Sequence, residues 1–297
     1  MKTKRIVAVL AITTALLLIL AVVSPFLLKQ PAPRKFSGAA AFTDVQTQLS
    51  FGSRAPGSEG HQQQVEWMRA ELEKAGWQVV MQELTHNDQT VINVIARRGK
   101  SGESIILGAH YDTRLVADQD PDLAKRQDPV PGGNDGASGV AVLLELARCL
   151  PTDLEKQVTL AFFDAEDQGN LSPWSVWSVG ASLFADNLST KPDAVIILDM
   201  IGDSDLNIFK ERNSDSALMD QIWQVAQNSG YGKYFNSSYK HQMQDDHIPF
   251  INLGIPAVDI IDFDYPYWHT TSDTADKVSP QSLEAVGVTI YNWITEP

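Results

Sequence analysis

Beginning at Ser58, the apolar positions Val65, Met68, Leu72 and Ala75 recur at spacings of three and four, which puts them on one face of an amphipathic helix ending at Gly76. Ser58 is its expected N-cap. The pattern then changes. WQVVMQEL and TVINVIARR are β-rich runs flanking the polar turn THNDQ, and they predict a hairpin at a sheet edge. SIILGAH is a more hydrophobic strand. After it come a helix over GASGVAVLLELARCL, a strand at VTLAFFD, a helix at GASLFADNL, a strand at AVIILDM and a helix from Ser214 to Ser229. The chain closes with a strand at PAVDIID and a helix over Gln281 to Ile294. Continuously apolar strands alternating with helices predict an α/β fold, with a mixed, largely parallel central sheet and helices on both faces. No internal repeat or low-complexity tract interrupts this order.

The N-terminus follows a different rule. MKTKR precedes an uncharged run from Ile6 to Leu28, long enough to cross a bilayer, which takes about 20 residues. The only A-x-A sequence, Ala39 to Ala41, lies well beyond that run, which favours an uncleaved anchor over a signal peptide. Residues 1–28 are therefore read as a membrane anchor or signal segment, 29–40 as a proline-containing linker, and 41–297 as one catalytic domain. Lys2, Lys4 and Arg5 are matched by Lys29, Arg34 and Lys35 across the apolar run. The preferred orientation has the N-terminus inside and the domain outside, periplasmic or at the cell surface, anchored or secreted.

Bulk composition narrows the function. Hydrophobic content of 43% with 20% charged residues is that of a globular domain, not a disordered chain. A net charge of −14, with no cluster of Lys and Arg after residue 40, excludes a nucleic-acid partner. The single cysteine, Cys149, sits in an apolar run and reads as a small buried hydrophobe. No disulfide framework can form, and nothing near it would lower its pKa for nucleophilic work.

Ligands of such sheets bind beyond the carboxyl ends of the strands, so the polar residues that follow apolar strands carry the candidate chemistry. SIILGAH runs into His110-Tyr111-Asp112, VTLAFFD into Asp164-Ala165-Glu166-Asp167, AVIILDM carries Asp199, and PAVDIIDFDYPYW leads to His269. GGNDGASG places Asp135 at the start of a helix. Taken singly, each has an ordinary explanation: Asp135 as an N-cap, His110 and His269 as hydrogen-bonded histidines, Asp199 as a satisfied buried carboxylate. Carboxylates and imidazoles at several strand ends together are what a divalent cation requires. In the pair Glu166-Asp167, a bend after the strand lets both side chains face one cavity, so one can bind metal while the other shuttles protons.

In this order the motifs FGSRAPGSEGH, LGAHYDT, GGNDGASGVAVLLELAR, LAFFDAED, ILDMIGD, QDDHIPFINLGIPAV and YWHTTSDTADKVS resemble those of the M28 family of metallopeptidases and, within it, the glutaminyl-peptide cyclotransferases. The resemblance covers the chain from about Phe51 onward. It implies a three-layer sandwich of the zinc-aminopeptidase, phosphorylase/hydrolase-like type. It also implies zinc held by Asp135, Asp167 and His269, with Glu166 as general base and acid. His110 and Asp199 match positions that complete a second metal site in the aminopeptidases; in the cyclases, which use one zinc, the Asp199 position belongs to a hydrogen-bond network. One zinc or two is thus left open.

Two features favour the cyclases. The chain reads Gln244-Asp245-Asp246-His247-Ile248-Pro249-Phe250 where the aminopeptidases usually carry Ser-Asp-His before Pro-Phe, so Asp245 resembles the network acid of the cyclases. Trp268 resembles their pocket-lining tryptophan, with Trp174 and Trp177 as weaker candidates for the same wall and Gln244 beside it. Asp167 stands where the animal cyclases carry Glu, so the metal would be reached by a shorter side chain. His247 is assigned no chemistry. The implied substrates are peptides or proteins with N-terminal glutamine, cyclised to pyroglutamate with loss of ammonia. An M28 aminopeptidase is the alternative, and a non-catalytic ectodomain of the same fold is a third.

Overall fold

All six segments read as strands join one sheet. The computed structural model describes residues 34–100 and 102–296, so the apolar run Ile6–Leu28 lies outside the described residues. Among the described residues no helix is long and apolar enough to cross a membrane. The strands are β1 (Gln78–His86), β2 (Gln89–Arg98), β3 (Ser104–His110), β4 (Gln157–Phe163), β5 (Ala194–Asp199) and, after a small two-stranded pair of β6 (Ile208–Lys210) and β7 (Phe235–Tyr239), β8 (Ala257–Ile261). Their order is β1-β2-β4-β3-β5-β8. β1 pairs antiparallel with β2, and β2 antiparallel with β4, whereas β4, β3, β5 and β8 are mutually parallel. The predicted edge hairpin is therefore real. Asn87 and Asp88 make its turn with φ of 48° and 61°, a left-handed conformation that Asn and Asp tolerate.

Among the described residues, seven α-helices complete the layers: α1 (Gly38–Ser50), α2 (Glu59–Lys74), α3 (Ala137–Cys149), α4 (Val179–Asp186), α5 (Ser216–Asn228), α6 (Ile248–Asn252) and α7 (Pro280–Thr295). The strand period of two decides which face each one covers. Ile105, Leu107 and Ala109 of β3 and Ile196 and Leu198 of β5 join one core with residues of α1, α2, α3, α5 and α7. Ile106 and Val195 and Ile197 point the other way, into a smaller core with Ala181, Phe184 and Phe250 of α4 and α6. α3 is buried on nearly every side, consistent with its continuous apolar sequence, and it carries Cys149 into the interior.

Ser58 caps α2 by accepting from His61 N, and Gly76, at φ 82°, follows the end of that helix. The hydrophobic pattern does not signal α1. Its buried positions are Gly38, Ala41, Asp44, Val45 and Gln48, of which two are polar and two have little or no side chain. Tertiary partners satisfy them: Asp44 pairs with Arg148, and Gln48 accepts from Gln64 Nε2 at 2.7 Å and donates to the Ala137 carbonyl at 3.0 Å. α1 thus braces the first turn of α3, two residues after Asp135. Phe36, just upstream of α1, is also buried in the larger core.

Parallel β3, β4, β5 and β8 all end at one edge of the sheet. From β3 the chain crosses through α3 to β4 on one side, and from β4 through α4 to β5 on the other. The reversal beside β3 opens a crevice at the carboxyl ends of the strands. Close packing keeps α3 at that edge, because a Cβ at Gly139 would lie 2.2 Å from the Leu198 carbonyl oxygen and 2.9 Å from Ala109 Cβ. Replacing Gly139 with Ala should therefore lower stability by about 1–3 kcal/mol through overpacking. Urea unfolding measures it, and an unchanged midpoint would show that α3 is free to shift.

Candidate active site

The crevice holds the residues expected at the strand ends. Asp135, Glu166, Asp167, Asp199, Gln244, Asp245, Trp177 and Trp268 line one cavity of about 190 Å³. His269 is fully buried behind its wall, its ring stacked on Trp268 at a centroid distance of 3.7 Å. His269 Nε2 lies 2.6 Å from Asp167 Oδ1 and 3.7 Å from Asp135 Oδ2. On the other side of Asp135, Oδ1 is 3.1 Å from His110 Nε2, which is also 3.1 Å from Asp199 Oδ1. Asp135 therefore belongs to two groups that could each hold a cation, Asp135-Asp167-His269 and His110-Asp135-Asp199. Glu166 stands outside both, close to Asp245 and Asp246.

Two of the segments that carry these acids are held through their backbone by further acids. Asp112, past the end of β3, accepts from Glu166 N at 3.0 Å, Asp167 N at 3.3 Å and Gln168 Nε2 at 3.0 Å. Asp273 accepts from Asn134 N at 2.8 Å, Asp135 N at 3.1 Å and the Tyr265 hydroxyl at 2.6 Å. Gly136 follows Asp135 with φ 58°, and a Cβ there would meet the His110 ring and carbonyl within 3.0 Å. Only glycine permits that approach.

The backbone is strained where the site is built. Besides the hairpin pair, the non-glycine residues with positive φ are Ala165, Asn170, Ser175, Ser178, Met200 and His269. All six lie in connections leaving β4, β5 or β8. Such conformations cost about 1–3 kcal/mol each and persist where the surroundings over-determine them. Ala165 supplies the bend between Asp164 and Glu166, which is how consecutive Glu166 and Asp167 both reach the cavity.

Electrostatics follow from crowding like charges out of water. Burial, and next Asp245, push the Glu166 carboxyl well above the ordinary carboxylate range. Burial and then Asp135 raise Asp167 to about 6, and burial and then Asp199 raise Asp245 to about 7. For His269, burial disfavours the charged ring, but Asp167 and Asp118 outweigh it and lift the ring to about 9. Asp135 Oδ2 and Asp167 Oδ2 are buried without a hydrogen-bond partner. Two carboxylates and an imidazole with orphaned oxygens fit the donor set that zinc takes.

A family model, Peptidase family M28, matches residues 93–294. The chain belongs to peptidase family M28. Its M28 fold superposes on the Porphyromonas gingivalis glutaminyl cyclase with a TM-score of 0.83 and 35% identity, covering 88% of this chain and 98% of that one. A Zn-dependent exopeptidase from Parabacteroides distasonis gives a TM-score of 0.82 and 30% identity over 90% of this chain and 100% of its own. The glutaminyl-peptide cyclotransferase of Gloydius blomhoffii is 23% identical, covering 82% of this chain and 77% of its length.

Within this M28 chain, one of the expected wall residues is elsewhere. Trp174 packs in a small core with Val91, Ala165 and Val179 and stacks on His86, and it does not line the cavity. Trp177 lines it instead. Gly169 makes room for that ring, since a Cβ there would fall 2.0 Å from it. Residue type cannot separate two tryptophans three positions apart in a loop; the fold of 168–178 does. Asp112 and Asp273 lie inside the motifs LGAHYDT and YWHTTSDTADKVS, and their bracing role has no signature in residue type alone. Arg114 and Asp118 lie outside the motif series. If His269 and Asp167 ligate zinc, His269→Ala and Asp167→Asn should each reduce bound zinc well below that of the unaltered protein by elemental analysis. Unchanged stoichiometry in both would place the metal elsewhere.

Proposed function

We propose that the chain is a zinc-dependent glutaminyl-peptide cyclotransferase that converts N-terminal glutamine of peptides to pyroglutamate. The observation that carries this reading is the 35% identity to a glutaminyl cyclase over 88% of the chain. It is joined by a cavity in which Glu166 stands beside, and apart from, the Asp135-Asp167-His269 group. Zinc bound by Asp135, Asp167 and His269 would act as a Lewis acid toward the γ-carbonyl of the substrate glutamine. Glu166 takes a proton from the α-amine as that nitrogen bonds to the side-chain carbonyl carbon, and delivers it to the amide nitrogen that leaves that carbon as ammonia. One N–C bond forms, one breaks, and no water is consumed. Ser178, which donates to Glu166 Oε1 at 3.2 Å, holds the shuttle in place. Asp245, raised to about 7 by burial and then Asp199, supplies a hydrogen bond to the developing charge, and Asp199 completes that network. Trp268, with Trp177 and Gln244, forms the wall that folds the side chain back onto its own amine.

A second reading has its own support. His110, Asp135 and Asp199 offer donors for a second cation, and a two-metal site with Glu166 as base suits an M28 aminopeptidase. We further propose that the apolar run Ile6–Leu28 carries the domain out of the cytoplasm, where peptides with free N-termini are met.

Incubation with a Gln-initiated peptide, read by mass spectrometry, separates the two chemistries: loss of ammonia is expected, and release of free glutamine would overturn the cyclase reading. Glu166→Gln should reduce turnover by about 10²–10⁴-fold with zinc retained. Near-normal activity would remove Glu166 from the mechanism. Trp268→Ala should lower kcat/KM on Gln-peptides by roughly tenfold or more; equal losses on unrelated aminoacyl substrates would instead favour the peptidase.

A further inference from the structure

We propose that the segment from Arg114 to Asp120 is a clamp that sets the backbone and ring orientation of His269, with Asp118 as the positioning residue for that metal ligand. This rests on the reading of His269 as a ligand. Three consecutive residues of the loop reach the ring of the histidine, its carbonyl and the residue two positions beyond it. Asp118 Oδ1 lies 3.3 Å from His269 Nδ1. Gln119 N donates to the His269 carbonyl at 3.2 Å. Asp120 Oδ2 accepts from Thr271 N at 2.9 Å and from Thr271 Oγ1 at 2.6 Å. Thr270, between them, turns inward and donates from N and Oγ1 to the Tyr267 carbonyl at 3.1 and 2.7 Å.

His269 needs such a grip because its φ of 55° is one that a residue with a Cβ rarely adopts unaided. Contacts on its ring, on its own carbonyl and on Thr271 supply the restraint. Asp118 also selects the tautomer. A carboxylate facing Nδ1 favours the proton there, which leaves the Nε2 lone pair directed at Asp135 and Asp167.

Arg114 anchors the clamp to the other ligand segment. Its Nε lies 3.2 Å from both Asp118 oxygens and its Nη2 2.5 Å from Oδ2, while Nη1 donates to the Asp167 and Gly169 carbonyls at 2.9 and 3.0 Å. The same guanidinium sits 4.9 Å over the Trp177 ring. One side chain thus ties the backbone of Asp167 to the carboxylate that holds His269, and the spacing of the two ligands depends on the pair. The Asp118 side chain is 30% exposed, so replacing it leaves no core cavity. Partly exposed ion pairs contribute little to stability, which separates an effect on the metal from an effect on folding.

The test is the zinc dissociation constant of the full chain in detergent, measured by chelator competition for the unaltered protein, Asp118→Asn, Asp118→Ala, Asp118→Glu and His269→Ala. Metal-free thermal unfolding is measured alongside. Asp118→Asn and Asp118→Ala should weaken zinc binding about 10–100-fold, with Asp118→Glu recovering part of the loss. The metal-free midpoints should stay within about 2 °C of the unaltered protein. Zinc affinity within about twofold of the unaltered protein in both Asn and Ala variants overturns the clamp, as does a shared fall in midpoint without a change in affinity. His269→Ala binding zinc normally would instead overturn the ligand assignment. Failure to cyclise Gln-peptides bears only on the reaction and leaves the affinity comparison decisive.

Discussion

Carboxylates gathered in a buried crevice repel one another, and the architecture of this protein is organised around keeping them together despite that repulsion. Asp135, Glu166, Asp167, Asp199, Asp245 and Asp246 are all buried, and the imidazoles grouped with them are His110, His247 and His269. Two like charges about 4 Å apart at an effective dielectric of about 20 repel by about 4 kcal/mol. Burial first, and then the neighbouring acids, shift Glu166, Asp167, Asp199 and Asp245 upward, which is a demand for protons or a cation. Asp135, Asp167 and His269 are grouped closely enough to hold such an ion, and Glu166 and Asp245 lie outside that group.

What resists the repulsion is backbone. Asp112 and Asp273 each draw consecutive amides onto their oxygens, so the loops that present Glu166-Asp167 and Asn134-Asp135 cannot swing apart. Left-handed residues at 165, 178, 200 and 269 and the crowded Gly136 turn the chain sharply enough to bring neighbouring side chains into one cavity. The strain is concentrated at the carboxyl edge of the sheet, where the parallel strands stop, and it is borne by the packed layers beneath. α1 contributes from a distance by bonding the first turn of α3 through Gln48.

The same arrangement separates the roles of chemically similar residues. Glu166 and Asp167 are adjacent in sequence and share Asp112 as a brace, yet Asp167 meets His269 while Glu166 meets Ser178. Position relative to one imidazole sets the two carboxylates apart. Asp135 stands between His110 and His269 and so belongs to both groups that could hold a cation.

The alternation of apolar runs was enough to determine the sheet, its parallel character and the helices on both faces, because burying those runs allows few other arrangements. It also pointed to the carboxyl edge of the sheet, where Asp135, Glu166, Asp167 and Asp199 come to line one cavity. Only the tertiary structure decided the rest. α1 buries polar side chains whose partners lie elsewhere in the chain, so no local periodicity marks it. Trp177 rather than Trp174 faces the cavity because Gly169 leaves room for one ring and the core takes the other. Asp112, Asp118 and Asp273 act through amides and rings distant in sequence, and a carboxylate that braces looks the same in a sequence as one that ligates. Their difference is one of distance and direction, which exist only once the chain has folded.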